Sequence, residues 1–239
     1  MAVATIVTFA FRDGGSSSPG GVRIEYLDTP TPRQTFDSAL DPAPTATATV
    51  SSAAVTGYAM PVAGACLPES DALLPGAPRE YRDGVHEGVD FYDDGNCILI
   101  GIDTEVLAAK AGTVVRADLD YVDLTLGELA ELEAMVESGE GNEEDVLDAY
   151  RGRQVWIDHG GGELTRYAHL NGIAGIAVGD RVEQGELIAY VGESGSPESV
   201  TDPGTEVHLH FEIRLGESYL GAGLPLEQVR ELYELAFGL

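Results

Sequence analysis

The stretch Gly204-Thr-Glu-Val-His-Leu-His-Phe-Glu-Ile-Arg214 constrains the fold more than any other part of the chain. It sets two imidazoles two residues apart in a run otherwise rich in strand formers, and in a strand successive side chains alternate faces. His208 and His210 therefore face one way, and Val207, Leu209 and Phe211 the other. Adjacent imidazoles are costly in an apolar core and natural around a metal, because neutral imidazole is a common zinc ligand. The alternative is a solvated polar face. Against it stands a second cluster far upstream, His86-Glu-Gly-Val-Asp90, which offers another imidazole with a carboxylate four residues on. Three such ligands and one water make a catalytic zinc site.

These two clusters, with Tyr167-Ala-His169-Leu between them, resemble the LytM and lysostaphin type of zinc metallopeptidase. Other segments follow in the order of that family: Val106-Leu-Ala-Ala-Lys-Ala-Gly-Thr-Val114, Val155-Trp-Ile-Asp-His-Gly160, Gly179-Asp-Arg-Val-Glu-Gln-Gly185 and Val191-Gly-Glu-Ser-Gly195. The resemblance covers residues 81–215. It implies an endopeptidase that cuts peptide bonds in bacterial cell-wall peptidoglycan, placed outside the cytoplasm. It further implies one Zn2+ per chain held by His86, Asp90 and His210, with His208 as general base. His169 is then expected to orient the water or stabilise the oxyanion.

Composition narrows the remaining classes. The formal net charge of −28, with Lys110 the sole lysine among 13 basic residues, gives a field that repels phosphate backbones, so no nucleic-acid partner is expected. The acidity fits a protein kept soluble in concentrated salt or working outside the cell, and equally a plain composition bias. No apolar run approaches the roughly 18 residues of a membrane span. Cys66 and Cys97 are the only cysteines. Pairing them suits an exported protein and would contribute about 3–4 kcal/mol in the chain-entropy picture, whereas two buried thiols suit an unexported one.

Taken in order, residues 3–28 read as two strands around the turn-rich Asp13-Gly-Gly-Ser-Ser-Ser-Pro-Gly-Gly21, and 29–57 as a Pro/Thr/Ala linker. The apolar residues 2–11 have no basic residue ahead of them, so a signal or anchor is expected to have been removed. The catalytic domain is expected over 58–239, as a β-rich α+β fold with an antiparallel sheet core. Strands are expected at 105–109, 112–117, 154–158, 164–169, 181–182 and 187–191, each punctuated by glycine. Gly84 and Gly88 are expected to provide turns around His86. An acidic excursion at 119–152 reads as an inserted helical hairpin. Thr125-Leu-Gly-Glu128 is a capping box opening a stripe of Leu126, Leu129, Leu132, Met135 and Val136, and Asn142 is the expected cap of the second helix. The hairpin is expected to shape substrate access, so that its removal leaves fold and metal intact. Pro225 opens a C-terminal packing helix along Leu226, Val229, Leu232, Tyr233, Ala236 and Phe237.

Three acidic or imidazole side chains stay outside this scheme. His159 precedes a glycine turn and reads as structural. Glu212 lies at strand spacing from His210 and could accept from its imidazole or form a surface ion pair. Glu87 is not assigned as a base, since Gly88 disfavours the helix of an H-E-x-x-H site. Two rival functions are a non-catalytic wall-binding module or activator of other wall hydrolases, and a cupin-type oxygenase. The cupin pattern needs a histidine after the H-x-H, and none follows His210.

Overall fold

The computed structural model describes residues 55–93 and 95–239. The strand pair expected over 3–28, and the expected linker up to residue 54, lie outside the described residues. Val55 and Tyr58, where that linker was expected to end, are buried in the core.

The described chain opens with β1 (Pro78–Arg79), β2 (Gly84–Val85), β3 (Val89–Phe91), β4 (Glu105–Leu107) and β5 (Gly112–Ala117). Two helices follow, α1 (Leu126–Glu137) and α2 (Glu144–Arg151). Next come β6 (Val155–Gly160), β7 (Glu163–Ala168), β8 (Leu170–Ile173), β9 (Arg181–Val182) and β10 (Leu187–Val191). A one-turn helix α3 (Glu198–Thr201), β11 (Leu209–Leu215), β12 (Ser218–Tyr219) and α4 (Leu226–Phe237) complete the order. The principal sheet runs β12-β11-β7-β6-β5-β9, with β3 also paired to β11, and a second sheet runs β4-β10-β8. All these pairings are antiparallel, as the hairpin-length connections and glycine punctuation require.

Strand β11 is buried on both faces, and its alternation divides them by chemistry. Leu209, Phe211 and Ile213 are fully buried in the apolar core, each worth about 1.5–3 kcal/mol of transfer free energy. Helix α4 closes over that side with Val229, Tyr233 and Ala236, and Phe237 approaches Phe211 at 6.1 Å between ring centres. His210, Glu212 and Arg214 project to the opposite side, also buried. The register sets His210 directly across from Asp90 of β3 and from Ala168 of β7. His208 falls just before the strand and pairs through a bridge with Gly192, the residue after β10.

The hairpin forms where expected, but its anchoring differs from the sequence reading. Thr125 and Glu128 make the capping box, each satisfying the other's backbone N–H. Of the α1 stripe only Leu129 is buried, and Leu126 is 65% exposed. Asn142 does not cap α2, which starts from Glu143 without a side-chain cap. Its amide instead donates to the Arg82 carbonyl at 2.8 Å while its oxygen accepts from the Arg82 guanidinium, a tertiary partner that outcompetes the local backbone.

Cys66 and Cys97 form a disulfide, which closes the loop carrying His86 and Asp90. Gly88 serves that loop by its lack of a side chain rather than by an unusual turn. A Cβ there would lie 2.6 Å from the Phe211 carbonyl oxygen and 2.7 Å from His210 Cε1, and neither Gly84 nor Gly88 has a positive φ.

Candidate active site

Asp90 and His210 meet as a cross-strand pair, and the turn before β3 brings His86 over them. His86 Nε2, Asp90 Oδ1 and His210 Nδ1 form a triangle with sides of 3.0, 2.8 and 3.1 Å. All three residues are buried, and they are the one group among the described residues with donor atoms placed to share a metal ion.

The second nitrogen of each ligand imidazole fixes its tautomer. His86 Nδ1 lies 3.2 Å from the Leu74 carbonyl, which can only accept, so the proton sits on Nδ1 and the Nε2 lone pair faces the triangle. His210 Nε2 lies 3.1 Å from Glu212 Oε1, an acceptor that favours a proton on Nε2 and turns Nδ1 toward Asp90. Asp90 turns its other oxygen to Arg79 Nη2 at 3.3 Å. Burial lowers the His86 pKa and keeps that ring neutral. Burial alone would raise that of Asp90, but the His86 and His210 rings outweigh it and hold the carboxylate well below its usual range. Burial would likewise strip His210 of its proton, yet the Asp90 and Glu212 carboxylates on its two nitrogens push it up to about 9. The centre of the triangle therefore demands positive charge. Two imidazole nitrogens and one carboxylate oxygen, with oriented outer partners, fit a divalent ion of zinc type.

His169 and His208 stand beside this group, their ring centres 4.4 Å apart. His208 Nε2 is 3.9 Å from Asp90 Oδ1. Each has its Nδ1 against a backbone carbonyl, that of Ser194 at 2.9 Å and that of Glu206 at 2.6 Å respectively. Carbonyls only accept, so both rings carry a proton on Nδ1. Burial, reinforced by neighbouring His208 and His210, drives the His169 pKa well down. The backbone of His169 has φ 58°, a left-handed conformation that costs a non-glycine residue about 1–3 kcal/mol. Its N–H donates to the Arg151 carbonyl at 2.9 Å, which helps hold that conformation.

His159 lies apart from the cluster, with Nδ1 on the Ala111 carbonyl and Nε2 on Thr165 Oγ1, each at 2.9 Å. Glu87 Oε2 is engaged by Arg151 at 2.8 Å and Arg214 at 2.7 Å, so it is an ion-pair partner. Glu212 is completely buried, which excludes the surface ion pair left open by its sequence.

Four further residues that the sequence reading did not single out bear on the site. Arg79 holds Asp90. Tyr92 stacks on His208 with ring centres 4.4 Å apart and planes 13° from parallel, its hydroxyl donating to Glu206 at 2.9 Å. Arg151 and Arg166 converge on Glu212, at 2.8 and 3.6 Å. Only Tyr92 was findable, as an aromatic two residues beyond a candidate ligand. Beside it opens a cavity of about 780 Å³ lined by Leu73, Tyr92, Ile100, Thr205 and Val207.

Solved structures similar to this chain include a zinc-containing peptidase from Vibrio cholerae, at 21% identity and TM-score 0.44, covering 72% of this chain and 40% of that one. This chain thus spans well under half of that protein's length. The SpoIIQ–SpoIIIAH pore-forming complex matches at 23% identity and TM-score 0.42, over 69% of this chain and 87% of that one. The catalytic domain of the antimicrobial peptidase lysostaphin from Staphylococcus simulans matches at 22% identity and TM-score 0.39, over 64% and 85%. No curated protein sequence matches the chain. The profile of peptidase family M23 matches residues 84–221, from the turn before His86 to the residue after Leu220, and on that match over more than half its length the chain belongs to peptidase family M23.

Proposed function

We propose that the chain is a zinc-dependent endopeptidase that hydrolyses peptide bonds in bacterial cell-wall peptidoglycan outside the cytoplasm. The observation that carries the reading is the convergence of His86 Nε2, Asp90 Oδ1 and His210 Nδ1 beside two further imidazoles, each with Nδ1 on a backbone carbonyl. Family membership supports the substrate class. The disulfide supports an oxidising compartment, and no described helix is long and apolar enough to cross a membrane.

Zinc bound by these three residues supplies a Lewis acid that polarises a carbonyl and lowers the pKa of water to about 7. The chain's own groups then divide the proton work. His208 takes a proton on Nε2 as the water oxygen joins the carbonyl carbon, and returns it to the amine as the C–N bond breaks. Tyr92 keeps the His208 ring in plane, and the Glu206 carbonyl fixes its tautomer. His169 has no proton on Nε2 and is opposed from gaining one by its buried neighbours, so it accepts from the water and orients it. The Ser194 hydrogen bond supports this choice between its two expected roles.

Metal analysis of the purified protein, followed by digestion of defined muropeptides read by mass spectrometry, tests the proposal. One zinc per chain and new peptide termini are expected. Asp90→Ala should lose the metal, while His169→Ala and His208→Ala should keep it and lose activity by a factor of about 100–1,000. Intact muropeptides with zinc bound would replace the enzyme with a wall-binding module or activator, and a protein that binds no zinc would remove the metal reading altogether.

A further inference from the structure

Helix α2 ends on Arg151, and this residue connects the inserted hairpin to the metal centre. Its guanidinium is 7% exposed and donates from Nε to Glu212 Oε1 at 2.8 Å and from Nη2 to Glu87 Oε2 at 2.8 Å. Nη1 reaches Glu144, on the first turn of the same helix, at 3.4 Å. The Glu212 oxygen that accepts from Arg151 is the one 3.1 Å from His210 Nε2. A continuous path therefore leads from α2 through a buried carboxylate to the imidazole whose opposite nitrogen faces Asp90. The same residue's carbonyl accepts from the backbone of His169. Arg214 and Arg166 approach the other Glu212 oxygen, at 3.1 and 3.6 Å, so neither substitutes for Arg151 at the oxygen that matters.

We propose that Arg151 is a positioning residue for the metal centre: it aims Glu212 Oε1 at His210 Nε2, and so makes the inserted hairpin part of the apparatus that holds the ion. The inference rests on the metal-binding reading above. It departs from the expectation that residues 119–152 only shape access, because deleting 120–151 takes Arg151 with it. Arg214 and Arg166 hold Oε2 from their own side, and the charge-assisted bond from the planar Arg151 guanidinium is the one that directs Oε1. Outer partners of ligating histidines typically contribute about 10–100-fold to metal affinity.

The test is the zinc dissociation constant of the metal-free protein, measured by competition with a chromophoric chelator. Wild-type protein, Arg151→Met, Arg151→Gln, Glu212→Gln, the double variant Arg151→Met with Glu212→Gln, and Val146→Ala are compared. Val146 is a buried residue of α2 whose side chain has no polar atom to offer Glu212, so its truncation loosens the hairpin without removing the guanidinium. Arg151→Met is expected to weaken zinc about 10–100-fold. The double variant should bind no worse than the weaker single one, since both act through one carboxylate. Val146→Ala should lower the melting temperature and leave affinity within two-fold. If Arg151→Met does not fold, Arg151→Gln carries the comparison. Wild-type affinity in the folded Arg151 variant, additive losses in the double, or equal weakening by Val146→Ala would each overturn the proposal. Absence of zinc binding in the wild type would instead overturn the metal reading beneath it.

Discussion

The two helical appendages of this fold are held on opposite principles, although both answer to β11. Helix α4 lies on the apolar side and is fixed mainly by area: Val229, Tyr233 and Ala236 are buried, Tyr233 and Phe237 continue an aromatic row begun by Phe211, and its ion pair, Arg230 with Asp71, lies at the surface. The α1–α2 hairpin buries only Leu129, Val146 and Arg151 from its two helices. Its attachment is ionic, with Arg116 on Asp148 and Arg151 on Glu212 and Glu87. Apolar contact is non-directional and tolerates small shifts, whereas a buried guanidinium–carboxylate pair is directional and costs about 3–5 kcal/mol when one partner is removed. One appendage is therefore suited to supporting the sheet and the other to setting the direction of a side chain.

Tyr233→Ala should break this contrast most severely if it is wrong. It is expected to cost about 3–5 kcal/mol in urea unfolding, the range for large aromatic side chains in cores. A loss under 1 kcal/mol would mean that α4 is not the main apolar anchor. Thr125→Ala removes the cap of α1 and should cost about 1 kcal/mol, seen as faster amide exchange in α1 with β11 protection unchanged. Exchange rising equally in β11 would join the hairpin to the sheet's own cooperative unit.

Acid should separate the two attachments more gently. Burial would raise the Asp148 pKa, but hydrogen bonds from Arg116 and Gln154 outweigh it and hold the carboxylate below its usual 3.8. A depressed carboxylate stabilises fully above its unfolded value, and that contribution is lost as pH falls through the folded one. The stability difference between wild type and Asp148→Asn should thus be constant above about pH 5 and shrink below pH 4. A difference that does not change with pH would exclude the ion pair as its source. The smallest effect belongs to Leu126→Ser, on the exposed flank of α1, where a change within about 0.5 kcal/mol is expected in the same urea assay.

How much of this was legible in the sequence depends on the distance over which each interaction acts. Strands Gly112–Ala117, Arg181–Val182 and Leu187–Val191 begin and end where glycine and alternation place them. The capping box of α1 and the stripe of α4 are local patterns and form as read. Asn142 misleads because a cap signal competes with a partner 60 residues away, Arg82. Leu126 misleads because helical spacing identifies a stripe without saying whether anything covers it. Arg151 carries no pattern at all: its partner Glu212 is 61 residues distant, and only the folded sheet brings the two together. His86, Asp90, His208 and His210 stood out in the sequence as paired side chains that can bind a metal, and His169 through the resemblance to the LytM family. The groups that aim them did not, since orientation is a property of the packed interior.

The pairing of Asp90 with His210 has a consequence in time. The two residues are 120 positions apart and become neighbours only through the β3–β11 register. A growing chain that has not yet produced β11 carries His86 and Asp90 but no third donor, so it has no complete ligand set however well its earlier strands have paired. Contacts of such long sequence separation also form late in folding, because loop closure must precede them. The His86–Asp90–His210 group is thus completed by topology, only once the sheet is nearly finished.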